Sequence, residues 1–331
     1  MARQKDLNDL KPGDEIRHFL AVNKMEIKTA RTGKNYLNLE LRDKTGIVSA
    51  KLWDNFENLV SELKEGAVVK ISGTAEEFLG QMQVKVSQIR PAKPEDNVAV
   101  HDFLPASSRN LDEMKKEFSD RIAKITNPYL KTLLANIFTQ EISEKYFSAP
   151  AGKGWHHAYL NGLIEHTLEI MKLCDLVSSF HAEINVDLLI TGAILHDFGK
   201  IYELTYENSF DYSDEGRLLG HIVIAAIEVE KEIDKINGFP EELKNRLLHL
   251  ILSHQGKLEF ASPIEPKTLE AIVLYHADEL SAKANAYKNA IMAEKSKGTN
   301  WTKFIPLANN SLYIPNEILK NGLTNKKTDS L

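Results

Sequence analysis

Cysteine is almost missing from this 331-residue chain. Cys174 stands alone, which excludes an internal disulfide and cannot by itself make a thiolate metal site. Also lacking is any apolar run of about eighteen residues, so no helical membrane span is indicated. The opening residues, MARQKDLNDLKPGD, have neither the apolar stretch nor the small-residue cleavage pattern of a secretion signal. A cytoplasmic protein without a membrane partner is the expectation. Nor is there an excess of positive charge. Lys and Arg number 41 against 47 Asp and Glu, a formal net charge of -6, so any contact with a polyanion has to be local. Up to Ala92 the basic residues number 15 against 13 acidic, and beyond it 26 against 34. Internal repeats and low-complexity segments are absent as well. What is present, 43% hydrophobic and 27% charged, is the composition of ordinary globular domains, with length enough for two or three.

Two kinds of periodicity divide the chain. Up to Ala92, alternating apolar and polar residues recur in EIRHFLAVNKMEI, NYLNLELRD, GIVSAKLWD, AVVKISGTAEEF and QMQVKVSQI, separated by turns such as RTGKN and DKTG. An amphipathic stretch, NFENLVSELKEG, lies between the third and fourth. Five strands with a helix at that point is the order of a five-stranded β-barrel of the OB-fold type. The proline-bearing segment 93–110 reads as a linker. From 111 to 312 the apolar residues recur at three- and four-residue spacing, as in LDEMKKEFSDRIAKI, PYLKTLLANIFTQEIS and VDLLITGAILHDF, which predicts an all-α helical bundle. Residues 313–331 read as a polar tail. The fold class expected is therefore multidomain: a β-barrel, then helices.

Within the helical part, polar residues fall where apolar ones belong. His166 shares a face with Leu163, Ile170, Leu173 and Val177. His196 and Asp197 end the apolar run that begins at Val186, with Gly199 placed as its stop. Asp278 lies in a stripe with Ala271, Leu274 and Ala282, and His221 and His254 sit at helix ends near Gly220 and Gly256. One inward histidine is usually a hydrogen-bonded core residue. Four histidines and two aspartates on five inward faces would need an extensive, fully satisfied network. A metal ion removes that need, and imidazole with carboxylate suits Mn²⁺, Fe²⁺, Co²⁺, Zn²⁺ or Mg²⁺.

The order His166, His196-Asp197, Asp278 resembles the HD superfamily of metal-dependent phosphohydrolases, and His221 and His254 resemble the additions of its two-metal branch. With the five-stranded domain ahead of it, and with ILHDFGKIYEL, LLGHI, SHQGKLEFASP and HADELSAK, the chain resembles the YhaM family of bacterial 3′-to-5′ exoribonucleases over roughly residues 12 to 310. Gln255 stands where a second histidine, and Ser281 where an aspartate, would be expected. The resemblance implies metal-dependent 3′-to-5′ hydrolysis of single-stranded RNA, with single-stranded DNA and a second copy of the chain left open as partners. The cofactor expected is a pair of divalent ions, Mn²⁺ first, with Mg²⁺, Co²⁺, Fe²⁺ or Zn²⁺ as alternatives. Asp197 would bridge them, with His166, His196 and Asp278 on one and His221 and His254 on the other.

Lys200, just beyond the His-Asp pair, is placed to hold a phosphate oxygen, or else to complement the helix dipole. Lys257 is a second candidate for phosphate, and His156 and His157 for the substrate entrance. In the barrel, Lys24, Lys28, Arg31 and Lys34 crowd one loop and its approach, as phosphate contacts would. Phe19, Tyr36, Trp53 and Phe78 offer rings for stacking bases. Two other functions stay open: hydrolysis of a small nucleotide, and single-strand binding without catalysis.

Overall fold

The computed structural model describes residues 4–60, 62–98, 100–206, 210–294 and 299–318. Of the expected polar tail, 319–331 lie outside the described residues.

The alternating stretches form five strands, β1 (Glu15–Thr29), β2 (Asn35–Arg42), β3 (Ile47–Leu52), β4 (Val68–Phe78) and β5 (Gln81–Pro91), with a short helix α1 (Glu57–Val60) between β3 and β4. They close into a barrel in the order β1-β2-β3-β5-β4, in which β3 and β5 run parallel and the other neighbours antiparallel. This is the expected OB-fold barrel. Period two puts Leu37, Leu39 and Leu41 of β2 inside, where they meet Leu20, Val22, Ile71 and Val84, and leaves Tyr36, Asn38 and Glu40 facing out. At Gly73 a bulge lets β4 and β5 approach so closely that a Cβ would lie 2.4 Å from the Lys85 carbonyl oxygen.

Strand β1 departs from alternation, since His18 to Val22 are all buried. Leu20 and Val22 face the barrel core, while Phe19 and Ala21 pack on the outside against Val68 and Phe103. The segment 93–110 therefore folds back on the barrel. It also reaches the helices: Ala106 pairs with Leu160, and Leu160 N–H donates to the Pro105 carbonyl.

The helices are α2 (Leu111–Ala123), α3 (Pro128–Ile137), α4 (Gln140–Ser148), α5 (Gly162–Ser178), α6 (Val186–Leu195), α7 (Lys200–Glu203), α8 (Asp214–Ile233), α9 (Glu241–Ser253) and α10 (Leu269–Glu294). Their apolar faces meet in one core that includes Leu130, Leu163, Ile170, Leu189, Leu250 and Leu274. Three details differ from the periodic reading. The stretch PYLKTLLANIFTQEIS is two helices, because Thr139 caps α4 with its hydroxyl and Phe138 turns inward onto Phe118, Tyr146 and Phe198. Helix α8 breaks at Gly220, whose φ of 72° and ψ of 152° no right-handed helix contains. And the bundle is not wholly α: β6 (Leu204–Thr205) pairs with β7 (Asp211–Tyr212) as a small hairpin.

Candidate metal centre and nucleic-acid surface

Five helical segments bring the six inward polar residues together. His166 comes from α5, His196 and Asp197 from the turn that ends α6, His221 from just past the break in α8, His254 from the end of α9 and Asp278 from α10. Gly256, at φ 78°, supplies the left-handed turn that ends α9, as expected. Gly199 acts differently from the expected helix stop. Its φ is −61°, and a Cβ there would lie 2.0 Å from the His221 carbonyl oxygen. A bare backbone at 199 is what lets α8 carry His221 up to the His-Asp turn.

The two carboxylate oxygens of Asp197 face different histidines. Oδ2 lies 3.3 Å from Nε2 of His196 and 3.7 Å from Nε2 of His166. Oδ1 lies 3.4 Å from Nε2 of His221 and 3.7 Å from Nε2 of His254. Asp278 joins the first set, its Oδ1 3.0 Å from Nε2 of His166 and 4.0 Å from that of His196. Ligands bonded to one ion at about 2.1 Å and at right angles stand about 3 Å apart, so these spacings suit donors around shared cations.

Each imidazole is aimed by its other nitrogen. Nδ1 of His196 and of His254 reach back to the carbonyls of Ala193 (2.9 Å) and Ile251 (2.6 Å), three residues earlier at the helix end. Nδ1 of His221 donates to Glu203 Oε1 at 3.0 Å, and the same oxygen accepts the His221 backbone N–H. Nδ1 of His166 meets the Ser281 hydroxyl at 3.0 Å, and that hydroxyl donates to Glu169 Oε2 at 2.7 Å. Acceptors on Nδ1 fix the proton there and leave Nε2 bare, as a metal ligand requires.

Three of the converging atoms, His196 Nε2, Asp197 Oδ1 and His221 Nε2, are buried without a hydrogen-bond partner. Left so, each forfeits its hydration for nothing. His166 Nε2 lies at hydrogen-bond distance, 3.0 Å, from Asp278 Oδ1; with its proton on Nδ1 the two lone pairs would face each other, which a cation between them relieves. Electrostatics agree. Burial would raise the Asp197 pKa, but Lys200 and His196 outweigh it and hold the carboxyl well below its usual range. Burial and neighbouring His196 push the His254 imidazole down to about 3, and burial keeps His166 neutral also. Burial would lower the His196 pKa too, but the Asp197 carboxylate prevails and raises it, which marks the place beside that carboxylate as one that draws a cation; the donors fall in two groups that share Asp197.

The remaining expected residues divide. Lys200 is buried, with Nζ 2.6 Å from Asp197 Oδ2, so it is no solvated helix-end lysine. Burial opposes its charge, but Asp197 prevails and its pKa is raised. His156 borders the centre, its ring centroid 5.3 Å from that of His166 and its Nδ1 without a partner; burial and the Lys200 charge hold it neutral. His157 does not line an entrance, because its ring is fully enclosed behind His166. Lys257 is exposed, 3.4 Å from Glu259 and over the Phe260 ring.

On the barrel, Tyr36 and Trp53 stack with centroids 4.6 Å apart, and Lys51 lies over both Tyr36 and Phe78. Phe78 is 53% exposed, whereas Phe19 is only 8% exposed and belongs to packing. Of the crowded loop cations, Lys28 pairs with Glu26 at 2.7 Å and Lys34 with Asp54 at 2.5 Å, so they are partly neutralised. A cleft of about 840 Å³ on the outer face of β1, β4 and β5 gathers others: Arg17, Lys70, Lys85 and Arg90, with Ser72, Thr74 and Ser87 between them and Trp53 at its margin. Arg90 is bound to Asp96, but among the described residues Arg17, Lys70 and Lys85 have no carboxylate within ion-pair distance. Sequence reasoning missed these three because they lie on separate strands; register alone joins them, placing Arg17 beside Ser72 and Thr74 beside Lys85. It missed Glu203 and Glu169 for the same reason, although Ser281 was visible as a departure from the family pattern.

Known proteins supply an independent comparison. The HD domain family matches residues 163–283, and the OB-fold nucleic acid binding domain family matches residues 22–92. The chain is similar to proteins named 3′-5′ exoribonuclease YhaM. Against that of Geobacillus sp. (strain WCH70) it is 34% identical over 304 residues, 92% of this chain and 93% of the relative. Against that of Listeria innocua it is 33% identical over 314 residues, 94% and 99% of the two chains. Against that of Bacillus subtilis (strain 168) it is 33% identical over 304 residues, 92% and 96%. No helix among the described residues is long and apolar enough to cross a membrane.

Proposed function

The chain belongs to the YhaM family of 3′-5′ exoribonucleases, and from that premise we propose that it shortens single-stranded RNA from the 3′ end, one nucleoside 5′-monophosphate at a time, with two divalent cations, Mn²⁺ first among them. The observation that carries the two-ion reading is Asp197, whose oxygens face separate sets of imidazoles. His166, His196 and Asp278 would hold one ion with Oδ2, and His221 and His254 the other with Oδ1. Ions bound there supply Lewis acidity toward a phosphodiester and make water a competent nucleophile near neutral pH.

The chain's own groups do the rest. Lys200 keeps its proton and stands within the centre, a fixed positive charge for a phosphate oxygen as negative charge builds there. His156, neutral and with Nδ1 unpartnered, offers a hydrogen bond at the margin of the same site. Glu203, and Glu169 through Ser281, keep the His221 and His166 rings from turning. On the barrel, the Tyr36–Trp53 stack and Phe78 provide π faces for bases, and Lys51, Arg17, Lys70 and Lys85 provide positive charge for the backbone. Cleavage of the P–O3′ bond leaves the phosphate on the released nucleotide, hence a 5′-monophosphate. Because five helical segments wall the centre, a thin unpaired end can reach it and a duplex cannot.

Incubation with Mn²⁺ and 5′-labelled single-stranded RNA tests this. The label is expected to shift down in single-nucleotide steps as mononucleotide accumulates, and to stall where a hairpin begins. Internal fragments, or products with a 3′-phosphate, would overturn it. Hydrolysis of a small nucleotide with no strand cleavage would assign the centre to a different substrate. The same assay on single-stranded DNA decides whether the 2′-hydroxyl is read.

A further inference from the structure

Buried polar atoms without partners mark the centre around Asp197, and among the described residues they mark one more cluster. His157 is 0% and Glu165 8% exposed, and His157 Nε2 and Glu165 Oε2 both lack a hydrogen bond. Glu169 completes the group. Its Oε2 is 3.3 Å from His157 Nε2, off the direction a hydrogen bond would need. Each of the three residues brings one ligand atom within 4.8 Å of the other two. The other unpartnered buried atoms outside the first centre, on His18, Arg42, His156 and Ser178, belong to no such group.

We propose that His157, Glu165 and Glu169 form a third divalent-cation site, behind His166 and separate from the two-ion centre. Desolvation is the first reason. His157 Nε2 and Glu165 Oε2 are cut off from water and from every hydrogen-bond partner, and no lysine or arginine pairs with Glu165 or Glu169 among the described residues. Glu169, with its side chain 40% exposed, opens the cluster to solvent, the route by which an ion enters. His157 Nδ1 lies 2.9 Å from the Tyr159 hydroxyl and 3.3 Å from Asn285 Nδ2, and the tautomer with its proton on Nδ1 toward the hydroxyl leaves Nε2 bare toward the carboxylates. The loop is fixed where it must be, since His157 N–H donates to Asn285 Oδ1 at 2.9 Å and Asn285 Nδ2 donates to the Tyr159 hydroxyl. One imidazole and two carboxylates suit Mn²⁺, Fe²⁺ or Zn²⁺. Glu169 links the two places, because its Oε2 also accepts from Ser281, which holds His166. An ion on Glu169 therefore bears on how firmly His166 is aimed.

The test is metal content. The full chain, stripped with chelator, is dialysed against Mn²⁺, desalted and analysed for manganese per chain, beside Glu165→Gln, Asp197→Asn and the double variant. Glu165→Gln is expected to bind one equivalent less than wild type. Asp197→Asn should keep that equivalent, and the double variant should lose it. Equal manganese in wild type and Glu165→Gln would overturn the third site. Failure of the two-ion reading would appear separately, as wild-type content in Asp197→Asn. If Glu165→Gln loses its helical circular dichroism, Glu165→Asp replaces it, keeping the charge but shortening the reach. A folded Glu165→Asp that binds Mn²⁺ as wild type does would equally overturn the proposal.

Discussion

Inside the barrel the buried side chains are Leu20, Leu37, Leu39, Leu41, Val69 and Ile71, whereas inside the bundle Leu163, Leu189 and Leu274 share the interior with His166, His196, Asp197, Lys200 and His254. Apart from Asp43, held by the backbone N–H groups of Leu7, Thr45 and Gly46, the barrel keeps its carboxylates and cations toward the outside, where water solvates them and a polymer can meet them at little cost in stability. The bundle buries them, which is costly unless each is paired or liganded. A surface suits the holding of a long strand in many registers. Chemistry at phosphorus asks for fixed charges out of water, and only a walled interior supplies them. The contrast is between a region that can lose one charged residue and still bind and a region that cannot.

The largest expected effect comes from Asp197→Asn, which removes the one side chain common to both groups of imidazoles. Hydrolysis should fall on the order of 10⁴-fold, the scale seen when one member of a catalytic unit is removed. Bound manganese should fall with it while circular dichroism is unchanged. Full activity with wild-type manganese would erase the difference between the two interiors. A smaller effect is expected one residue further out. Glu203→Gln keeps an oxygen that can accept from both His221 N–H groups but not the charge. Metal affinity should drop by about 10- to 100-fold in a chelator competition, and unchanged affinity would mean that His221 needs no aiming.

The smallest effect, and the one that sharpens the account of the barrel, compares two sets of cations. Reversing Arg17, Lys70 and Lys85 to Glu should weaken binding to a long single strand and lower the salt slope by about 2, since each phosphate left unneutralised takes about 0.7 from it. Turnover of a small chromogenic phosphodiester should not change. Reversing Lys28, Arg31 and Lys34 should do less, because Glu26 and Asp54 already offset two of them. Equal changes in slope for the two sets would return the loop to its place as the main phosphate-binding element.

How much of this was legible in sequence varies with range. The five strands were legible because alternation is a local signal, and β2 shows it without interruption. The run His18 to Val22 could not be understood that way, since what buries its outer face is Phe103, more than eighty residues later. The six inward polar residues could be named because helical spacing places each on its own apolar stripe. Their grouping could not, and neither could the break at Gly220 that aims His221, nor the turn at Phe138, where an aromatic cluster outweighs helix period.

By itself the sequence determined what repeats within a few residues: strand and helix periods, the apolar faces, and the presence of imidazole and carboxylate on those faces where thiolates are lacking. Only the tertiary structure decided which groups meet. Asp197 turns one oxygen to His196 and the other to His221, Glu203 holds His221 across the gap between α7 and α8, and Ser281 carries Glu169 to His166. The physical reason is distance. Side-chain period follows from backbone geometry within one element, whereas a hydrogen bond or a metal site forms within about 3 Å between elements. Their approach is set by packing details as small as the absent Cβ of Gly199.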